Sequence, residues 1–207
     1  MYASLTSRPD LAATANYFSQ FQACPTDEHW VHLRRVLRYV KGTLDLGLIY
    51  RGDADETLLA VYTDADWAND IVDRRSVSGA VFKVFGASVC WFARKQPTVS
   101  LSSTEAELVA LCGAACHSQW LVRVLCDLGW SSKEPVRFYE DNQSTIKIVS
   151  NPKDSGRLKH IDGNISTFES FWREAASRST TFLRRCSKQI FSLKVYQLRP
   201  SGIFEPT

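Results

Sequence analysis

The chain has 207 residues, 44% of them hydrophobic and 23% charged, with a formal net charge of +3 at pH 7. That balance excludes a disordered chain and suits one buried domain with an appendage, while a charge so near zero says nothing by itself about a nucleic-acid partner. No apolar run approaches the roughly 20 residues that cross a bilayer, and the start lacks the basic-then-apolar pattern of a secretory signal, so the expectation is an intracellular protein with no membrane partner.

Residues 1–50 read as a helical hairpin. In "SRPDLAATANYFSQF" Ser7 is the expected cap and Pro9 sits in the first turn; in "TDEHWVHLRRVLRYVKG" Thr26 is the cap, acids open the helix, bases close it and Gly42 stops it. His29 and His32 lie three apart with no third ligand at a recognisable spacing, so they read as helix surface. The six cysteines include no CxxC pair, which argues against a zinc knuckle or a disulfide frame.

From residue 47 the pattern changes to strands. "GLIYRG" and "TLLAVYTD" are expected to pair across "DADE", and "SGAVFKVF" and "SVCWFARK" form a meander joined at "GA". A long helix follows in "LSSTEAELVALCGAACHSQWLVRVLCDLG", opened by a capping box of Ser102 and Glu105 and closed at Gly129. Then come a strand, "VRFYED", and a short helix, "NQSTIKIVSN". The order β-β-β-α-β-α predicts an α/β fold, with a mixed sheet flanked by helices. A strand after a long crossover helix most simply returns parallel, which brings the ends carrying Asp64 and Asp141 together.

Three acids merit a chemical reading. By strand alternation Asp64 shares a face with Tyr62 and Ala60, and Asp141 with Tyr139 and Arg137. On the long helix Glu107 rides an apolar stripe with Leu111, Ala114, Leu121 and Leu125, whereas Glu105 is turned away by about 200°. Hard divalent cations take oxygen ligands, and two such ions promote phosphodiester cleavage. The same residues also fit a turn acid, a helix-surface acid and a helix cap, so the residues alone leave both readings open. Basic patches at 34–41, 94–96 and 157–160, and nine Lys/Arg against four Asp/Glu over 157–207, are compatible with a polyanion but equally with solvated faces.

The segments "YTDADWA", "DRRSVSG", "KQPTVSLSSTEAEL", "YEDNQS" and "RLKHID" resemble, in order, the ribonuclease H domain that ends the Pol polyprotein of copia-type LTR retrotransposons. Residues 1–50 resemble the connection between reverse transcriptase and ribonuclease H, 51–165 the ribonuclease H-like domain, and 166–207 a divergent, poorly folded tail. The resemblance implies a ribonuclease H-like sheet of three antiparallel strands and then a parallel one. It implies cleavage of RNA in RNA–DNA hybrids with two Mg²⁺ ions, or Mn²⁺, and assigns Asp64, Glu107 and Asp141 as metal-binding catalytic acids. Gln143, Ser144, Arg75 and Ser76 become candidates for backbone or sugar contacts. The reverse transcriptase portion of a polyprotein is the implied partner, and a cytoplasmic virus-like particle or the nucleus the implied location.

The likeness stops after "KHID". A fourth acid, in a motif such as ADIFTK after a fifth strand, is not found in frame, which leaves Asp162 as the nearby candidate for a fourth metal ligand. If "KQIFSLK" were encoded AAG CAG ATA TTT TCA CTA AAG, reading from the third base would give ADIFTK, so a frameshift after Asp162 is one explanation. A catalytically impaired remnant is therefore the second functional class. An integrase-like DNA nuclease is the third, disfavoured by "STEAEL" directly after the meander.

Overall fold

β-branched and aromatic residues recur through 58–95, and in the computed structural model this stretch forms β1 (Leu59–Asp66), β2 (Val77–Val84) and β3 (Ala87–Lys95). The structure describes residues 1–50, 58–70, 72–130 and 136–150, and the backbone of 181–185. β1 runs antiparallel to β2, from Leu59 opposite Val84 to Asp66 opposite Val77, and β2 antiparallel to β3. β4 (Val136–Glu140) lies parallel to β1 with Val61 opposite Phe138. This is the ribonuclease H-like arrangement that the resemblance implies, three antiparallel strands and then a parallel one.

A fifth strand, which the sequence reading does not find, completes the sheet. β5 (Thr181–Arg185) pairs parallel with β4, giving the order β3-β2-β1-β4-β5. It falls within the stretch expected to be a poorly folded tail. A short outer parallel strand owes its place to pairing with its neighbour, and "TFLRR" carries no period that announces it.

α4 (Ser103–Asp127) crosses between β3 and β4, and its inward residues Leu108, Leu111, Ala114, Ala115, Leu121 and Leu125 pack on Leu59, Val61, Ala80, Phe82 and Phe138. Ser102 Oγ accepts from Glu105 N at 3.2 Å, while Glu105 Oε2 accepts from Leu101 N at 2.7 Å. Gly129, at φ +84°, ends the helix: Gly129 N donates to Cys126 O and Trp130 N to Leu125 O, satisfying its last carbonyls. α4 is long and apolar enough to cross a membrane, by length and composition only, where the sequence reading expects no such run. Its buried inward face makes it the core helix of the sheet instead. α5 (Gln143–Ser150) follows β4 directly.

Before the sheet come α1 (Tyr2–Thr6), a 3₁₀ turn at Pro9–Leu11, α2 (Ala12–Ser19) and α3 (Asp27–Gly42). Thr26 caps α3 as expected: its hydroxyl accepts from His29 N at 3.3 Å, and His29 Nδ1 accepts from Thr26 N at 3.1 Å. Ser7 does not open a helix; it is the C-cap of α1, because Arg8 and Pro9 start a separate turn. "GLIYRG" is no strand over 47–50 and pairs with nothing in β1, while its Arg51 and Gly52 lie outside the described residues; Tyr50 instead donates its hydroxyl to Ser88 O. The meander turns at Phe85 and Gly86, both at positive φ, one residue before the expected "GA".

Candidate metal centre and active site

The parallel pairing of β1 with β4 sets the geometry. Tyr62 lies opposite Tyr139, their rings stacked at 4.6 Å, and the next residues on the same faces are Asp64 and Asp141. Gly79 is the cross-strand partner of Asp64 and brings no side chain to that flank. From above, the N-terminal part of α4, one residue past its first turn, delivers Glu107. One carboxylate oxygen from each of Asp64, Glu107 and Asp141 lies within 4.8 Å of the others.

The start of α4 is fastened at that point. Gln96, only 2% exposed, donates through Nε2 to Ser78 Oγ at 2.8 Å and to Ala106 O at 2.9 Å, and accepts from Ser100 Oγ at 2.9 Å. Ala106 immediately precedes Glu107, so this amide fixes the helix register from which the acid projects.

Burial differs among the three acids: Glu107 is buried, Asp64 half-buried and Asp141 exposed. Burial, with the Asp141 charge beside it, raises Asp64 to about 6. Burial again, then the charges of Glu140, Asp64 and Asp141, raise Glu107 to about 9. Glu107 Oε2 is a buried oxygen without a hydrogen-bond partner among the described residues. Leaving such an atom unsatisfied is costly, and a cation between the carboxylates would remove both the repulsion and the vacancy in its bonding. An all-carboxylate donor set fits a hard divalent ion such as Mg²⁺ or Mn²⁺.

The competing structural roles fall away for two of the acids. α5 is capped by Asn142, whose Oδ1 accepts from Ser144 N at 2.9 Å and Thr145 N at 3.1 Å, so Asp141 is no cap. Glu107 is no surface residue. Asp66 is exposed and accepts from Asn69 Nδ2; Asp70 takes the backbone N–H groups of Val72 and Asp73 and pairs with Lys95.

Gln143 and Ser144 are exposed at the start of α5, directly after Asp141. Arg75 is half-exposed and pairs with Asp73 at 3.5 Å. Ser76 does not fit a substrate contact: it is fully buried, accepts from Ala68 N at 3.1 Å and receives Gln96 N at its carbonyl, so it holds the loop after β1. Asp162 lies outside the described residues. Sequence reading missed Glu140, which is fully buried next to Asp141, is raised to about 7 by burial and is held by Thr63. The parallel pairing of "YTD" with "YED" would have revealed it.

Among proteins of known sequence, the Pol polyprotein from transposon TNT 1-94 of Nicotiana tabacum is 40% identical over 162 residues, covering 78% of this chain and 12% of that protein. Secreted RxLR effector protein 161 of Plasmopara viticola is 47% identical over 121 residues, covering 58% of this chain and 84% of that protein. The chain thus spans about an eighth of the length of the transposon polyprotein. Among solved structures, LC11-RNase H1 in complex with an RNA/DNA hybrid is 13% identical, with 65% of this chain and 88% of that one covered at a TM-score of 0.46. No protein-family model matches the chain.

Proposed function

The chain belongs to the family of retrovirus-related Pol polyproteins of copia-type transposons, and on that premise we propose that its acidic pocket cleaves the RNA strand of RNA–DNA hybrids during reverse transcription. One observation carries the reading. Asp64, Glu107 and Asp141, supplied by two strands and a crossover helix, converge with a buried Glu107 oxygen left without a partner.

Those three carboxylates would hold divalent cations, two Mg²⁺ in this proposal, which when bound lower the pKa of a water and neutralise charge on the scissile phosphate. The carboxylates themselves act as ligands. Gln96 holds the register of Glu107, and the stacked Tyr62 and Tyr139 rings fill the sheet face behind Asp64 and Asp141. Gln143, Ser144 and Arg75 are the accessible candidates to contact the sugar–phosphate backbone. Recognition of an A-like hybrid would rest on shape and 2′-hydroxyls, with little reading of bases. The reverse transcriptase part of the polyprotein would be the working partner, and an intracellular particle or the nucleus the working location.

The test is cleavage of end-labelled RNA–DNA hybrid by the purified chain in Mg²⁺, beside Asp64→Asn. Cleavage by the parent and not by the variant supports the proposal. No cleavage by either identifies a non-catalytic remnant, the reading favoured by the missing in-frame ADIFTK motif. Equal cleavage by both would mean that the site is wrong. Duplex DNA in the same assay separates an integrase-like activity.

A further inference from the structure

We propose that Glu140 is a positioning residue that clamps together the two strand ends carrying Asp64 and Asp141; the inference rests on the reading of those acids as cation ligands. The β1–β4 backbone register runs from Ala60 opposite Arg137 to Tyr62 opposite Tyr139 and goes no further. The next residues along the two strands are Thr63 and Glu140. There the strands are joined by side chains: Thr63 Oγ1 donates to Glu140 Oε2 at 2.8 Å.

The second carboxylate oxygen reaches the other way. Glu140 Oε1 accepts from Asn142 N at 3.1 Å. One carboxylate therefore grips the residue just before Asp64 and the residue just after Asp141. Thr63 and Glu140 are 1% and 0% exposed, so the bond between them does not compete with solvent, and a glutamate is rarely buried so completely unless it is bonded in this way.

Glu140 is not itself one of the converging ligands, since the cluster closes with Asp64, Glu107 and Asp141 alone. Its two oxygens are already committed to Thr63 and Asn142. A residue of this kind acts through the orientation of its neighbours, and removing such support at a metal centre weakens metal affinity about 10- to 100-fold.

The conservative variant separates geometry from charge. In Glu140→Gln the amide oxygen still accepts from Asn142 N, and the amide nitrogen donates to Thr63 Oγ1, whose rotor is free to reverse its role. Glu140→Ala removes both bonds. Thr63→Val keeps shape and cuts one bond, and serves as the second variant should Glu140→Ala fail to fold.

Two readouts are needed. In calorimetric titration of the full chain with Mg²⁺, Glu140→Ala is expected to bind about 10- to 100-fold more weakly, while Glu140→Gln stays close to the parent. In amide hydrogen exchange without any divalent ion, Glu140→Ala and Thr63→Val are expected to speed exchange at Asn142 and at 63–65, with the α4 core unchanged. Parent-like exchange at those amides in both variants overturns the clamp. So does a Glu140→Gln variant as weak for Mg²⁺ as Glu140→Ala, since that outcome assigns the effect to charge alone. If the parent chain fails to bind Mg²⁺, the cation reading falls while the exchange experiment still decides the clamp.

Discussion

Two sets of acids in this protein have opposite electrostatics. Near the N-terminus and in the loop after β1 three of them are paired: Asp10 with Arg8 at 2.8 Å, and Asp70 and Asp73 with Lys95. Hydrogen bonds from Lys95 hold Asp70 and Asp73 below the usual carboxylate range. In the pocket at the ends of β1 and β4 the reverse holds. Asp64, Glu107, Glu140 and Asp141 form no ion pair with any Lys, Arg or His among the described residues, and burial pushes Asp64, Glu107 and Glu140 upward. The first set neutralises its own charge and ties elements together, whereas the second leaves its charge uncompensated, as the proposed cation site requires.

The largest effect is expected where that contrast is broken outright. Asp64→Asn should lower Mg²⁺ affinity by about 100-fold or more, since even outer-shell losses reach that order, and abolish hybrid cleavage. Because it also relieves repulsion, its melting temperature without Mg²⁺ should not fall. Calorimetry and thermal unfolding check both statements.

Next is the core that carries the pocket. Phe82, fully buried between the sheet and α4 and near His117 at 4.8 Å, should cost about 3–5 kcal/mol on truncation to Ala, read as a shifted denaturant midpoint. Such a change should weaken the whole molecule, unlike the site-confined Asp64→Asn.

A smaller and more diagnostic effect lies in pH. A carboxyl whose folded-state pKa is raised holds a proton that the unfolded chain has released, so stability falls as pH rises between the unfolded and folded values. For the pocket that window opens near pH 4 and closes at about 6 for Asp64, about 7 for Glu140 and about 9 for Glu107. In a chelator the protein should therefore melt lower at about pH 8 than at about pH 5. Mg²⁺ at about 100 times its dissociation constant should add about 2.7 kcal/mol and remove most of the slope. The paired acids give the opposite sign, which makes the slope a measure of which region dominates.

The smallest effect belongs to the N-terminal ties. Arg8 donates to Asp10 and, at 3.0 and 2.8 Å, to the carbonyl and hydroxyl of Thr43 at the end of α3. Arg8→Ala should loosen residues 1–46 by about 1–2 kcal/mol, seen as faster amide exchange there, with Mg²⁺ affinity unchanged. A change in affinity would show that the two regions are coupled through Lys95, which also binds Gln20 just after α2.

Much of this contrast was legible in the sequence. Strand alternation put Asp64 on the face of Tyr62, helical periodicity chose Glu107 over Glu105, and the crossover rule brought Asp141 alongside. Each of these follows from local geometry. Glu140 was hidden because its partner Thr63 is 77 residues away, and only the β1–β4 register joins them. Ser76 of "DRRS" was a candidate for a backbone or sugar contact, yet the chain folds it inward to accept from Ala68 N and Gln96 N. "GLIYRG" has strand composition without a partner at the right register, and β5 has a partner without strand-like periodicity. Composition is local; pairing is not.

The central claim is that Asp64, Glu107 and Asp141 together bind a divalent cation. Crystals grown with Mn²⁺ and measured for its anomalous signal test it most directly. An anomalous peak within coordination distance of carboxylate oxygens from all three residues, lost in Asp64→Asn crystals, is the predicted result. A map with no peak in that pocket, or with Mn²⁺ bound only elsewhere on the chain, would contradict it.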